Sequence, residues 1–215
     1  MDATEGIGVS SAVRSGDDGV RRCAWALSAP EYLPYHDEEW GRPVGDGRRV
    51  FEKLCLEGFQ SGLSWLTILR KREAFRQAFA GFDPGVVAAY DEHDVERLLS
   101  NSGIVRNRGK ILATIANAQA TLGLPKGDTS LAALVWSYEP QIHRVGRSLD
   151  DLPPSTAEST ALSKELKRLG YRFVGPTTVY AAMQSLGVVN DHLEGCHHRA
   201  IALSLRERFQ APTRS

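Results

Sequence analysis

The feature that most constrains this chain is a stretch near its end, Asp191–His198, which contains three histidines and one cysteine. His192 and Cys196 are four positions apart, so on a helix their side chains would project from one face. Imidazole and thiolate are common ligands of zinc, but two ligands do not complete a tetrahedral site. The candidate donors at the other end of the chain are Cys23 and His36.

A metal ion held by these four side chains would join the start of the fold to its end. All the chain between the two pairs would become one closed loop, and closing a long loop removes much chain entropy. Spacing alone does not exclude His197 and His198 as competing ligands. It also leaves open that Cys23 is a small buried apolar residue and that the histidines lie at the surface.

Composition is that of a globular protein, with 215 residues, 42% of them hydrophobic and 24% charged. Lysine plus arginine equals aspartate plus glutamate at 26 each, so a nucleic-acid surface would require local segregation of charge. Three cysteines fit a reducing cytoplasm better than a disulfide framework. The sequence lacks an apolar run long enough for a membrane helix, and residues 1–20 lack a secretory signal core.

The hydrophobic pattern predicts an all-α fold, because apolar residues recur at three- and four-residue steps and two-residue alternation is absent. Residues 48–79 should form two helices joined by a turn near Gln60–Leu63. Asp83 and Pro84 are typical of the start of a further helix. Ser155 and Glu158 have the spacing of a capping box.

A glycine-bounded turn between two predicted helices, Gly170–Thr178, is a candidate phosphate-binding element. Gly175 lets backbone N–H groups approach a ligand, and the following helix N-terminus favours anions. Arg172, Thr177 and Thr178 add donors that suit DNA phosphates. The alternative is a plain corner between two helices, which is common in helical proteins.

A glutamate within an apolar run, Glu57, is a candidate binding group, because burying a carboxylate is costly unless it meets a partner. The aromatic residues Trp25, Tyr35, Trp40 and Trp65 could form a flat pocket for a nucleobase, and aromatic faces also attract cations. The alternative is that the aromatic residues belong to the core and that the glutamate lies at the surface.

Several motifs in one order resemble the DNA-3-methyladenine glycosylase I family of the helix-hairpin-helix glycosylase superfamily. The matching segments are Arg22–Trp25, Tyr35–Gly41, Cys55–Gly58, Gly62–Trp65, Arg106–Lys110, Phe173–Gly175, Val189–His192 and Cys196. The resemblance covers a glycosylase domain of residues 21–198. It leaves out residues 1–20, which we expect to be a disordered tail, and a C-terminal tail of residues 199–215.

The resemblance implies a helix-hairpin-helix glycosylase fold whose termini are joined by one structural zinc ion. The implied ligands are Cys23, His36, His192 and Cys196. It also implies a base pocket of Glu57, Tyr35 and Trp65, with Trp25 and Trp40 near it. Asp191 lies where other members of the superfamily have a catalytic aspartate, but it adjoins a proposed ligand and is given no such role. Pro176 departs from the family pattern and removes one backbone donor after the hairpin.

The function implied is hydrolysis of the N-glycosidic bond of 3-methyladenine in alkylated double-stranded DNA, leaving an abasic site. The base would be flipped into the pocket, Leu63 would fill the gap in the duplex, and Glu57 would recognise the base. We expect a monomer in the cytoplasm that does not cleave the strand, since no lysine is placed to form a Schiff base. The alternatives are a non-catalytic zinc-stapled helical DNA-binding module, a zinc hydrolase with Glu57 as general base, and a glycosylase for another alkylated base.

Overall fold

Helices make up most of the fold in the computed structural model, which describes residues 12–143 and 145–213. The helices are α1 (Tyr32–Glu38), α2 (Gly47–Gln60), α3 (Trp65–Ala78), α4 (Pro84–Val87), α5 (Glu92–Ser100), α6 (Arg108–Leu122), α7 (Asp128–Trp136), α8 (Ala157–Arg168), α9 (Pro176–Ser185) and α10 (His197–Arg208). Short 3₁₀ turns occur at Ala24–Leu27, Ala80–Phe82 and Leu149–Asp151.

Capping side chains begin several helices where the sequence predicts them. The break between α2 and α3 falls at the predicted turn, and the Ser64 hydroxyl accepts a hydrogen bond from the Thr67 amide to begin α3. Asp83 caps α4, with Pro84 at its first position. The capping box expected for α8 is wrong by one residue, because Thr156 and Ser159 form it instead.

A two-stranded antiparallel hairpin corrects the all-α prediction. Its strands are β1 (Val13–Ser15) and β2 (Arg21–Cys23), with Val13 opposite Cys23. Each strand has only three residues, too few for an alternating pattern to be recognised. The prediction that residues 1–20 are disordered is wrong for residues 13–20, and its first eleven residues lie outside the part that the structure describes.

The core is arranged around α2, which packs against α3, α6, α7 and α9. The rings of Phe59, Phe75 and Phe79 meet in this core, with centroids 4.6 to 6.2 Å apart, and all three are fully buried. Because α2 is surrounded by helices, a polar side chain on it needs a partner or a cavity. Glu57 is such a residue, being 4% exposed.

Residues 199–208 of the predicted C-terminal tail (residues 199–215) belong to a helix. α10 begins at His197, and after its last residue Phe209 packs on Trp136 with a centroid separation of 4.8 Å. Arg206 of α10 pairs with Glu139, which fastens the helix to the end of α7. A boundary at residue 198 therefore falls inside a helix. No helix in the described ranges is both long and apolar enough to cross a membrane.

Candidate active site and metal centre

The four side chains chosen as metal ligands meet in one buried cluster. Cys23 ends β2, His36 lies on α1, and His192 and Cys196 lie on the segment before α10. All four residues are buried, and their ligand atoms lie within 4.8 Å of one another. His192 and Cys196 are not on one helix as their spacing suggested. A turn with Gly195 at φ +83° brings them together, and Cys196 is the residue directly before α10.

The distances within this cluster match those of a tetrahedral zinc site. His36 Nε2 and His192 Nδ1 are 3.1 Å apart, and Cys196 Sγ is 3.6 Å from each of them. Tetrahedral zinc with ordinary bond lengths would place two nitrogens about 3.4 Å apart and a sulfur and a nitrogen about 3.6 Å apart. The cluster therefore needs only small shifts to hold a metal ion.

Outer hydrogen bonds orient both imidazoles toward the cluster. His36 Nδ1 lies 2.7 Å from Asp37 Oδ1, and His192 Nε2 lies 3.0 Å from the carbonyl oxygen of Trp40. If each of these nitrogens carries the proton, His36 Nε2 and His192 Nδ1 keep free lone pairs. Such acceptor partners behind the histidines are typical of metal centres.

The two thiols of the cluster differ in acidity. The hydrogen bond from the Cys23 thiol holds the pKa of Cys196 far below its usual range, although burial acts against this. The pKa of Cys23 is raised by its hydrogen bond to Cys196 and by burial. A ready thiolate is the form that binds metal ions.

His198 is the one competing ligand that lies close to this cluster. It forms a second possible group with His36 and Asp37, and its Nε2 lies 3.0 Å from Asp37 Oδ1. That group shares His36 with the four-residue cluster and is less buried. The cluster of two cysteines and two histidines is the better metal site, because it supplies the full set of zinc ligands.

An aromatic pocket of about 410 Å³ lies beside the metal cluster. The five residues predicted for it, Trp25, Tyr35, Trp40, Glu57 and Trp65, all line it. Further lining residues that sequence reasoning did not single out include Tyr32, Gln60, Leu152 and Gln184.

The aromatic rings support one another at right angles or at a tilt. The Trp25 ring is perpendicular to those of Tyr32 and Trp40, with centroids 5.5 and 5.1 Å away. Tyr35 and Trp65 are 5.4 Å apart and tilted by 43°. The indole N–H of Trp65 is buried and lacks a partner among the described residues, so a ligand or a water must satisfy it.

Glu57 supplies the negative charge of this pocket. Burial raises the pKa of its carboxyl above the usual value of a glutamate, and the charge of Lys53 opposes that rise. Burial correspondingly lowers the pKa of Lys53. A buried carboxylate that faces a cavity is suited to bind a cationic or donor-rich ligand.

Lys53 was missed in the sequence, where a lysine on an amphipathic helix suggests a solvated side chain. It lies one turn before Glu57 on α2, and its ammonium lies 4.4 Å from the ring centroid of Trp65 and 4.9 Å from that of Tyr35. The ammonium also donates a hydrogen bond of 3.3 Å to the Tyr35 hydroxyl. The i, i+4 spacing to Glu57 was the signal that could have identified it.

Leu63, the predicted wedge, lies on the turn between α2 and α3 and is 42% exposed. The preceding residue, Gly62, has φ +79°, which a side chain would disfavour. Lys110 holds this turn from behind by donating to the carbonyl oxygens of Phe59 and Ser61 at 2.9 and 2.6 Å. A large apolar side chain is thus presented to solvent on a fixed turn.

The hairpin between α8 and α9 presents the other predicted DNA-binding residues. Arg172 and Thr177 are exposed, while Gly175 and Thr178 are partly buried at the start of α9. Asn117 of α6 fixes the backbone of the hairpin by bonding both the N–H and the carbonyl of Arg172, at 2.7 and 3.1 Å. Pro176 occupies the first position of α9, where a helix does not use the missing N–H.

Three basic runs occur in the sequence, Arg70–Arg72, Arg106–Lys110 and Lys164–Arg168, and most of their arginines are engaged by carboxylates. The pairs are Arg70 with Glu31, Arg72 with Glu39, Arg108 with Glu92 and Glu96, and Arg168 with Glu165. These pairs reduce the positive charge that the sequence offers to DNA. The hairpin and the Leu63 turn are therefore better candidates for DNA contact than the basic runs.

Asp191 is fully engaged by its neighbours. Its carboxylate accepts hydrogen bonds from the Tyr180 hydroxyl at 2.7 Å and from the Gln184 amide at 2.6 Å, and His143 Nε2 lies 3.0 Å away. Its side chain is 1% exposed. These contacts give Asp191 a role in joining α9 to the segment that carries the metal ligands.

Comparison with known proteins identifies the family. The family model described as methyladenine glycosylase matches residues 25–200. The chain is 48% identical over 180 residues to DNA-3-methyladenine glycosylase 1 of Escherichia coli (strain K12), an alignment that covers 82% of this chain and 96% of that protein.

Solved structures agree with this assignment. A crystal structure of 3-methyladenine DNA glycosylase I shares 50% identity, with a TM-score of 0.78 over 82% of this chain and 98% of that one. A Staphylococcus aureus enzyme, solved to explain 3-methyladenine recognition, shares 35% identity with a TM-score of 0.76, over 83% of this chain and 96% of that one. The chain therefore belongs to the methyladenine glycosylase family.

Proposed function

We infer that this protein is a DNA repair glycosylase that removes 3-methyladenine from alkylated DNA. The observation that carries this inference is the aromatic pocket with the buried carboxylate of Glu57 at its wall. Methylation at N3 gives the base a positive charge in DNA, and aromatic faces together with a carboxylate attract a flat cation. Relatives that match nearly their whole length carry the same activity in their names.

The reaction is hydrolysis of the bond between the sugar C1′ and the base N9. That electron pair leaves with the base and cancels its positive charge, water adds to C1′, and the proton of water is released. Because the base already carries the charge, little acid catalysis is needed. The residues of the pocket bind and orient the base, with Glu57 and Tyr35 at its polar edge and Trp65 against its face.

DNA binding is proposed for two separate elements. The N-terminus of α9 and the hairpin before it would hold a phosphate through Gly175, Thr177 and Thr178, with Arg172 beside them. Leu63 would enter the duplex where the flipped nucleotide leaves a gap. Both elements are exposed, and Asn117 and Lys110 fix their backbones.

The metal proposed for the buried cluster is one structural zinc ion. Its ligands would be Cys23, His36, His192 and Cys196, whose separations fit tetrahedral bonding. Four protein ligands leave no open position for water, which argues against a zinc hydrolase with Glu57 as general base. The ion would join β2 and α1 to the segment before α10.

The rival reading is a non-catalytic, zinc-stapled helical DNA-binding module. It requires the hairpin but gives no role to a pocket with a buried carboxylate. The test is to incubate the protein with DNA treated with a methylating agent and to separate the released bases by chromatography. Release of 3-methyladenine above the spontaneous rate, with 7-methylguanine retained, supports the inference.

Other outcomes have distinct meanings. Release of many alkylated bases would indicate a glycosylase of broader range. No release by folded, metal-loaded protein would favour the binding module. We also propose that the protein acts as a monomer in the cytoplasm, which size-exclusion chromatography and cell fractionation would test.

A further inference from the structure

The pocket wall has a second charged residue, Lys53, that the glycosylase activity proposed above does not itself require. Lys53 lies on α2, four residues before Glu57, so both side chains leave the helix on the same side. Glu57 lines the aromatic pocket, whereas Lys53 lines the neighbouring cleft with Glu39 and Arg72. The rings of Tyr35 and Trp65 line the pocket, and the Lys53 ammonium lies close to both of them.

The ammonium of Lys53 contacts these rings rather than a carboxylate. Its Nζ lies 4.4 Å from the Trp65 centroid and 4.9 Å from the Tyr35 centroid. Among the described residues, no carboxylate oxygen lies within the 4.0 Å of an ion pair with it. Two nearby carboxylates are already paired with arginines of α3. Glu39 pairs with Arg72, and Glu52 pairs with Arg76.

The hydrogen bond from Lys53 to Tyr35 also has a directional consequence. An ammonium can only donate, so the Tyr35 oxygen accepts at 3.3 Å and the hydroxyl proton must point elsewhere. Tyr35 is 4% exposed and lines the pocket, so that proton is available to an acceptor inside it. Lys53 thereby makes Tyr35 a donor toward the base.

We propose that Lys53 is a positioning residue of the base pocket, whose ammonium orients the Tyr35 hydroxyl and keeps Glu57 ionised until a cationic base enters. The proposal rests on the function inferred above. Before the base binds, Lys53 supplies the opposite charge that a buried carboxylate needs. When the methylated base binds in the pocket, its positive charge replaces that of Lys53 as the partner of the Glu57 carboxylate.

The charged groups around this pair define what a pH experiment would measure. Lys53 faces Glu57 and Glu52 on its own helix, Glu39 just after α1 and Arg72 on α3, and the Tyr35 hydroxyl completes its surroundings. The carboxyl of Glu57 has Lys53 as its charged neighbour. Removing the positive charge of Lys53 should therefore change the pKa of Glu57 more than that of the other groups.

The test compares K53M, K53Q and K53R with the wild-type protein. Methionine removes the charge and the donor, glutamine keeps a donor without charge, and arginine keeps the charge. The measurement is kcat/KM for release of 3-methyladenine from methylated DNA, from about pH 5 to about pH 9, since its pH dependence reports the ionisation of the free enzyme. Thermal unfolding confirms that each variant is folded.

We expect the low-pH loss of kcat/KM to move upward by about one pH unit in K53M and K53Q, because the charge of Lys53 lowers the pKa of Glu57 and a nearby opposite charge typically lowers a carboxyl pKa by about 1 to 3 units. K53R should keep the wild-type position. K53Q tests the charge even if K53M fails to fold.

An unchanged low-pH limb in both neutral variants would overturn the proposal, because a merely structural lysine would alter stability without moving that limb. If the wild-type protein released no base, the inferred glycosylase function would fail, and the role of Lys53 would fail with it. These two failures are distinguished by the wild-type reaction.

Discussion

Removing the proposed zinc ion should destabilise this protein strongly, because the cluster joins parts of the chain that are far apart in sequence. His36 and His192 are 156 positions apart and contact each other directly. An ideal cross-link that closes a loop of this length stabilises the fold by about 5 kcal/mol through chain entropy. For a protein of this size, that corresponds to a decrease of about 10–20 °C in melting temperature.

The assay is thermal unfolding of the purified protein before and after treatment with a strong zinc chelator, with the metal content measured in parallel. Two cysteine variants make the comparison specific. C23S removes a proposed ligand, and C55S replaces a cysteine that is also buried but lies outside the cluster.

We expect one equivalent of zinc in the wild-type protein and in C55S, and the same decrease in melting temperature when either is chelated. C23S should bind zinc poorly and melt at a low temperature with or without chelator. A zinc-loaded wild-type protein whose melting temperature is unchanged by complete removal of the metal would refute the reasoning.

Three further predictions test the pocket, the hairpin and the wedge turn. E57Q should lower base release by roughly 10- to 100-fold, as expected for loss of a charged hydrogen bond. DNA binding, measured by fluorescence anisotropy, should stay close to that of the wild-type protein. The matched control is E52Q, which lies on the same helix but is paired with Arg76. Because burial raises the pKa of Glu57, base release should decline as the pH falls through a range above 4.5, the usual pKa of a glutamate. A decline that began only below pH 4.5 would contradict this raised pKa. R172A should weaken DNA binding and reduce the slope of log Kd against log salt concentration by about one unit. An unchanged slope would show that Arg172 does not contact a phosphate. K110M should lower the stability by about 1–3 kcal/mol in urea unfolding, because two carbonyls of the wedge turn lose their donor, whereas K164M on the exposed face of α8 should not.

The four residues of the buried cysteine and histidine cluster could be chosen from the sequence because their residue types are few. The geometric reason first given for His192 and Cys196, however, was wrong. They do not share a helix face, and their meeting depends on the turn at Gly195. Spacing predicted the correct pair because a four-residue separation suits both a helix and a tight turn before a helix.

The ordered segment before β2 could not be predicted from local pattern. β1 is three residues long, and its pairing with β2 depends on Arg22, which binds Asp18 and Asp37 through its guanidinium. Asp37 in turn accepts from His36 of the metal cluster. A contact of this kind joins three segments, so neither hydrophobic periodicity nor composition reports it.

The metal cluster and the base pocket are linked through adjacent residues of α1, although no metal ligand lines the pocket. Tyr35 lines the pocket and His36 belongs to the cluster, so the helix that presents one presents the other. The backbone carbonyl of Trp40 accepts from His192, while the Trp40 ring lies 5.1 Å from Trp25 in the pocket wall. The proposed zinc ion would therefore support base release by stabilising the fold that holds these aromatic residues in place. Partial chelation should lower release only to the extent that it lowers the folded fraction.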